Sequence, residues 1–169
     1  MHDKNFFELF GLPVAFSIDA DQLLKVYRTL QRQFHPDRFV SASAQEQRIA
    51  LQYATTINEA YQQLKSPLPR AQYLLQLVGI QQHDHTMRQD TAFLFQQMEW
   101  RETLASTKTK AGLVVLLTDT RAAFDQYQQE FTQWFEQQQY NEAQHAVDKL
   151  QFVSKFEQEL RAKEASIPE

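Results

Sequence analysis

The chain has 169 residues, 43% of them hydrophobic and 12% aromatic, and a formal net charge of -4. That much apolar material fills one good core or two small ones and excludes a disordered chain, while the acidic balance argues against nucleic acid as the main partner. There are no cysteines, which excludes disulfides, thiolate zinc sites and thiolate ligation of an iron–sulfur cluster.

Only 3 Gly and 5 Pro are present. So few turn formers predict an all-α fold of long helices with few connections, not a sheet of many short strands. The opening residues, MHDKNFFELFGL, lack a basic region followed by an apolar core. No stretch approaches the ~20 apolar residues of a membrane span. These features predict a cytoplasmic protein without a membrane partner.

In chain order, Asn5 to Phe10 reads as a short helix with Phe6 and Phe10 on one face, ended by Gly11 and followed by Pro13. Asp19 is placed to cap a second helix, with Gln22 as its capping-box partner. This helix carries Leu23, Tyr27, Leu30 and Phe34 on one stripe and Lys25, Arg28 and Arg32 on another. Pro36 has no amide donor and pushes His35 out of the α region, so the helix must stop near Phe34. His35 and Asp37 are then held out in a turn. Ser43 with Glu46 caps a third helix running to about Lys65, with Ile49, Tyr53, Ile57, Ala60, Tyr61 and Leu64 inward. Ser66-Pro67 breaks the pattern, and a fourth helix ends near Gly79. The first domain is therefore placed at residues 1–75, with a connecting helix to about 79.

Residues 80–169 form the expected second domain. It opens with a polar linker containing His83-Asp84-His85. Two His around an Asp suit a metal, but without further ligands nearby the reading is a solvated linker, with no metal and no cofactor. Asp90 caps a helix with two adjacent stripes, Phe93, Gln97, Trp100 and Leu104 on one and Leu94, Met98 and Arg101 on the other. Ala105 to Lys110 reads as a loop. A long helix follows with Leu113, Leu117, Phe124, Tyr127, Phe131, Trp134 and Phe135. Asn141 with Gln144 is the expected cap of the last helix, whose stripe is Ala143, Val147, Leu150, Val153 and Leu160, flanked by Phe152 and Phe156. Three amphipathic helices imply a three-helix bundle.

No nucleophile–base pair, carboxylate dyad or phosphate loop is recognisable, so the chain reads as a binding protein, not an enzyme. Taken alone, the tripeptide His35-Pro36-Asp37 is a helix-stopping Pro between turn residues. In its setting, after a basic helix and before a long one, it resembles the J domain of DnaJ-type co-chaperones. The resemblance extends over essentially the whole chain to the HscB family, bacterial J-type co-chaperones of iron–sulfur cluster assembly. It is carried by Phe7-Glu8-Leu9-Phe10-Gly11-Leu12-Pro13, by Leu30 to Phe39, by Thr56-Ile57-Asn58-Glu59-Ala60-Tyr61, by Pro67-Leu68 with Arg70-Ala71 and Tyr73-Leu74-Leu75, and by Asp90-Thr91-Ala92-Phe93-Leu94. Arg38 stands where J domains usually have Lys, and Phe95 where the best-known bacterial members have Met.

The resemblance implies an HscA-type ATPase chaperone contacted through His35, Pro36, Asp37, Lys25, Arg28, Arg32 and Arg38. It also implies an IscU-type scaffold held through Leu94, Phe95, Met98, Glu99, Glu102 and Phe152. Periodicity leaves open that Leu94, Met98 and Phe152 are simply core. A J-domain adaptor for a different client is the alternative function. A metal-dependent hydrolase built on His35, Asp37, His83 and His85 is the alternative of another class.

Overall fold

The computed structural model describes residues 4–81 and 90–168. Among these residues there are seven α-helices, one 3-10 turn and no strand. The helices are α1 (Phe6–Leu9), α2 (Ala20–Gln33), α3 (Ala44–Leu64), α4 (Pro67–Leu77), α5 (Thr91–Ser106), α6 (Lys110–Glu136) and α7 (Tyr140–Ser166), with the 3-10 turn at Pro36–Phe39. The chain divides into two compact units, Met1–Gly79 and Ile80–Glu169.

In the first unit α2 and α3 form an antiparallel hairpin. The Tyr27 and Tyr61 rings stack at 3.9 Å, and the Tyr27 hydroxyl donates to Asn58 Oδ1 at 2.8 Å. Phe34 meets Tyr53 edge-on at 5.1 Å, which fixes the end of α2 against α3. Ser43 and Glu46 close a reciprocal capping box at the start of α3. At α2 only half of the expected box forms. Asp19 accepts from the Gln22 amide, but the Gln22 side chain donates to the Gly11 carbonyl at 3.0 Å and so ties the helix to the preceding turn. Gly11 ends the α1 segment at φ +65, a conformation in which a Cβ would be strained. Ile49, expected inward, is exposed. Ala50 takes the core position because α3 turns its Ala50/Ile57/Ala60/Leu64 line to the hairpin.

The helix break at Ser66-Pro67 does not separate α4 from what precedes it. α4 folds back so that the Tyr73 hydroxyl accepts from the Phe6 amide at 3.0 Å, and its ring stacks on Phe6 at 4.6 Å. Arg70 is buried; its guanidinium donates to the Leu64 carbonyl at 2.9 Å and lies over the Phe16 ring. A cation at the carbonyl end of α3 is favoured by the helix dipole, which offsets part of its desolvation.

In the second unit α6 and α7 supply most of the core. Leu113, Leu116, Thr120, Tyr127 and Phe131 of α6 face Ala143, Val147, Leu150, Val153, Phe156 and Leu160 of α7, all buried. Leu117 and Phe124 sit half-buried at the edge of that line. The turn between the two helices is a Schellman motif. The Gln139 amide donates to the Trp134 carbonyl and the Gln138 amide to that of Phe135, with Gln138 at φ 58. α7 consequently begins at Tyr140, before the expected cap. Asn141 lies inside its first turn, and Gln144 is buried instead of capping. The hydrophobic contact of Tyr140 with Phe135 outweighs the capping preference of Asn141. α5 runs further than expected, to Ser106, so the connection to α6 is only Thr107–Thr109. Here Gly112 is needed: a Cβ on it would lie 2.7 Å from Thr107 Cγ2.

Candidate functional site

The first candidate surface is the connection between α2 and α3. Phe34 caps α2, and His35, in extended conformation, becomes the N-cap of the 3-10 turn with Pro36 as its first residue. Pro fits there because its missing amide has no partner to lose at a helix start. His35 Nδ1 accepts the Asp37 amide at 3.2 Å, and Asp37 Oδ2 lies 3.5 Å from the same nitrogen. With Nδ1 used as an acceptor, the neutral ring carries its proton on Nε2. His35, Pro36 and Asp37 are all exposed, and none belongs to the core.

The basic side chains gather around this turn. Lys25, Arg28 and Arg32 are exposed on α2. Arg32 Nε donates to the Arg28 carbonyl, and Arg38 Nη1 reaches back to the Arg32 carbonyl at 3.4 Å. Arg38 thus covers the carbonyl end of α2, where a cation is favoured, and joins the basic stripe to the turn.

The second candidate surface is the outer face of α5. Phe93 and Trp100 turn inward and are buried. Leu94, Phe95 and Met98 turn outward, exposed by 56%, 65% and 58%. They are therefore not core, and the choice that periodicity left open is decided for Leu94 and Met98. Phe152 is half-buried. Its ring stands edge-on to Phe93 at 5.6 Å and stacks on Trp100 and Phe156. Arg101, on the Leu94/Met98 stripe, lies over the Phe152 ring at 5.4 Å and pairs with Glu159 at 3.2 Å. That stripe therefore flanks α7 on the side where Phe152 reaches the surface. Phe95, Glu99 and Glu102 form the next stripe round α5. Glu99 lines the cleft between α5 and α6 and accepts from Gln96 Nε2.

Asp90 caps α5 as expected, but the partners through which it holds the helix in place, His145, Lys149 and Glu130, were not singled out by sequence. Asp90 Oδ1 accepts the Phe93 amide at 2.9 Å, while Oδ2 meets His145 Nε2 at 2.8 Å and Lys149 Nζ at 3.6 Å. Lys149 also pairs with Glu130 at 3.3 Å and lies over the Tyr127 and Phe93 rings. The amide and imidazole bonds hold the Asp90 carboxyl down at about 2, with Lys149 adding to the effect. Burial, with Glu130 and Asp90 nearby, pushes the Tyr127 phenol up to about 12. One carboxylate thus caps α5 and fastens it to α7, with Lys149 passing the link to α6. The sequence signal was the i, i+4 pair His145 and Lys149, which had no reading without its partner helix.

His83-Asp84-His85 lies outside the described residues. Among the described residues no group of three or more His, Asp or Glu is placed to hold a metal, and no helix is long and apolar enough to cross a membrane.

Comparison with known proteins gives a consistent result. Residues 89–161 match the family model described as the HSCB C-terminal oligomerisation domain. The chain is 44% identical over 168 residues to a co-chaperone protein HscB homolog of Aeromonas hydrophila, covering 96% of this chain and 98% of the relative. Among solved structures it resembles the chaperone HscB from Vibrio cholerae, with TM-score 0.87 and 38% identity over 98% of this chain and 100% of that one. It also resembles the human co-chaperone HscB, with TM-score 0.90 and 30% identity over 95% and 82%. With that identity sustained over nearly the whole of both chains, the chain belongs to the HscB family of co-chaperones, which act on other proteins and are not themselves enzymes.

Proposed function

We propose that this chain is a cytoplasmic J-type adaptor that stimulates the ATPase of an HscA-type chaperone and delivers an IscU-type scaffold to it during iron–sulfur cluster assembly. The first unit acts as the J domain. His35, Pro36 and Asp37 make the contact, and Lys25, Arg28, Arg32 and Arg38 supply the positive field that steers encounter. The effect on ATP turnover is a linkage effect. The turn binds better to the chaperone conformation that hydrolyses ATP and shifts the population towards it.

The second unit acts as the scaffold-binding domain. Leu94, Phe95 and Met98 form an apolar ridge, with Phe152 at its α7 edge and Glu99 and Glu102 as acidic rim. Exposed apolar surface rimmed by charge is the kind of surface that marks a partner site. Holding both partners on one chain raises the effective concentration of client at the chaperone. The observation that carries the reading is the exposed tripeptide, presented by a 3-10 turn beside a basic helix face in a chain of the HscB family.

The test is ATP turnover by the HscA-type chaperone with this chain, with the IscU-type scaffold, and with both. This chain alone raises turnover, and both together raise it further than either. No rise with this chain sinks the chaperone half of the proposal, and no added rise with scaffold sinks the client half.

A further inference from the structure

We propose that the client surface continues round α5 into the cleft between α5 and α6, which takes a basic segment of the client between Glu99 and Asp119. This inference rests on the scaffold-binding reading above and extends it to a second helix. α6 presents Gly112, Ala122 and Ala123 along the flank that faces α5, and such small side chains leave a cleft of about 520 Å³ between the two helices. Its floor is the buried Trp100 and Leu116. Glu99 lines it from α5 and Asp119 from α6, with Gln96, Thr103 and Gln126 as further polar side chains, and no Lys or Arg among the lining residues.

Two features identify the occupant. The first is charge. A segment entering the cleft takes water from two carboxylates, which costs free energy unless a cation replaces it. A Lys or Arg of the client does so, whereas an acidic or purely apolar segment does not. The second is continuity. Round α5 the surface passes from Leu94 and Met98 to Phe95, then to Glu99, and across the cleft to Val115, which is 63% exposed beside Val114 at 52%. Val115 lines the cleft from α6, and so large an exposed β-branched side chain there extends apolar surface onto that helix. Glu99 therefore belongs to both parts: it is the far edge of the ridge and the near wall of the cleft.

The experiment uses the full chain with Asp119→Lys, Asp119→Asn and, as a control for the scaffold reading, Leu94→Ala/Met98→Ala. Binding of the IscU-type scaffold is measured by calorimetric titration at low and high salt. Asp119 is exposed on a long helix, so both variants keep wild-type circular dichroism. We expect Asp119→Lys to weaken binding about tenfold or more and Asp119→Asn roughly threefold, with a smaller salt dependence in both. Wild-type affinity in both Asp119 variants, with the Leu94/Met98 variant impaired, overturns the cleft and leaves the scaffold reading standing. Wild-type affinity in all three variants, or no binding by the wild-type chain, removes both together. Sedimentation showing that Asp119→Lys breaks up a self-associated form while client affinity is unchanged assigns the cleft to a second copy and overturns the inference.

Discussion

His35-Pro36-Asp37 and the Leu94/Met98 ridge are both exposed, but they are held by different means. The tripeptide is fixed by bonds within a few residues: the Asp37 amide to His35 Nδ1, the Pro36 ring, and the Arg38 reach to the Arg32 carbonyl. The ridge is fixed from a distance. Asp90 caps α5 and pairs with α7, and Lys149 carries the link to Glu130 on α6. A site set by local chemistry tolerates change elsewhere in its unit and fails at a single residue. A site set by helix packing shares its contacts among several residues and is lost when the helix moves.

The sharpest break in that comparison is His35→Gln. Because the side chain is exposed and outside the core, we expect loss of ATPase stimulation with circular dichroism and scaffold binding unchanged. Retained stimulation, or global unfolding, contradicts the local account of the turn.

Next in size is Leu94→Ala/Met98→Ala. Truncating central anchors of an interface costs on the order of 2 kcal/mol or more of binding, here with little change in melting temperature since both side chains are exposed. The variant keeps client-free stimulation of the ATPase and loses the client-dependent increment. Phe152→Ala behaves differently. Half-buried against Phe93 and Trp100, it lowers stability by roughly 2 kcal/mol, about half of a full core truncation. Equal thermal stability of Phe152→Ala and the double variant means that the ring does not support the ridge.

Smaller again is Arg28→Glu or Arg32→Glu. In the steering role proposed for these exposed charges, the association rate with the chaperone is expected to fall about tenfold at low salt and the difference to close at high salt. A loss that appears only in the dissociation rate, unaltered by salt, places these arginines in a tight local contact instead.

The smallest effect is on the bolt at the start of α5. Asp90→Ala removes an N-cap worth about 1 kcal/mol. It also removes a pH dependence. The Asp90 carboxyl is depressed from 3.8 to about 2, so its stabilisation is present above about pH 4 and lost as pH falls towards 2. Allowing for its partial exposure, that contribution is on the order of 1 kcal/mol. Acid denaturation of wild type and Asp90→Ala should therefore converge near pH 2. A constant gap between the two curves shows that protonating Asp90 weakens neither its cap bond nor its ion pairs.

Much of the fold could be read from residue types, because it rests on short-range rules. Pro36 stops α2, Ser43 and Glu46 start α3, and Asp90 starts α5, each through bonds spanning three or four residues. Where longer-range packing competes, the local rules give way. α7 starts at Tyr140 because its ring packs on Phe135, not at the better cap Asn141, and Gln22 bonds to Gly11 instead of closing its own box. In α4, which the sequence already places mostly in the first domain, Tyr73 and Arg70 find their partners within that unit.

The sequence by itself determined the helical class, the presented tripeptide and the basic stripe beside it, since 3.6-residue periodicity and proline chemistry act locally. It could place Leu94 and Met98 on one stripe, but not say whether that stripe faced protein or water. Only the tertiary structure decided this, because which side of α5 is buried depends on where α6 and α7 lie. The same packing turned Glu99 towards α6, opened a cleft opposite Gly112, Ala122 and Ala123, and drew Asp90, His145, Lys149 and Glu130 together from three helices. Such groupings join residues far apart in the chain, and no local rule carries that information.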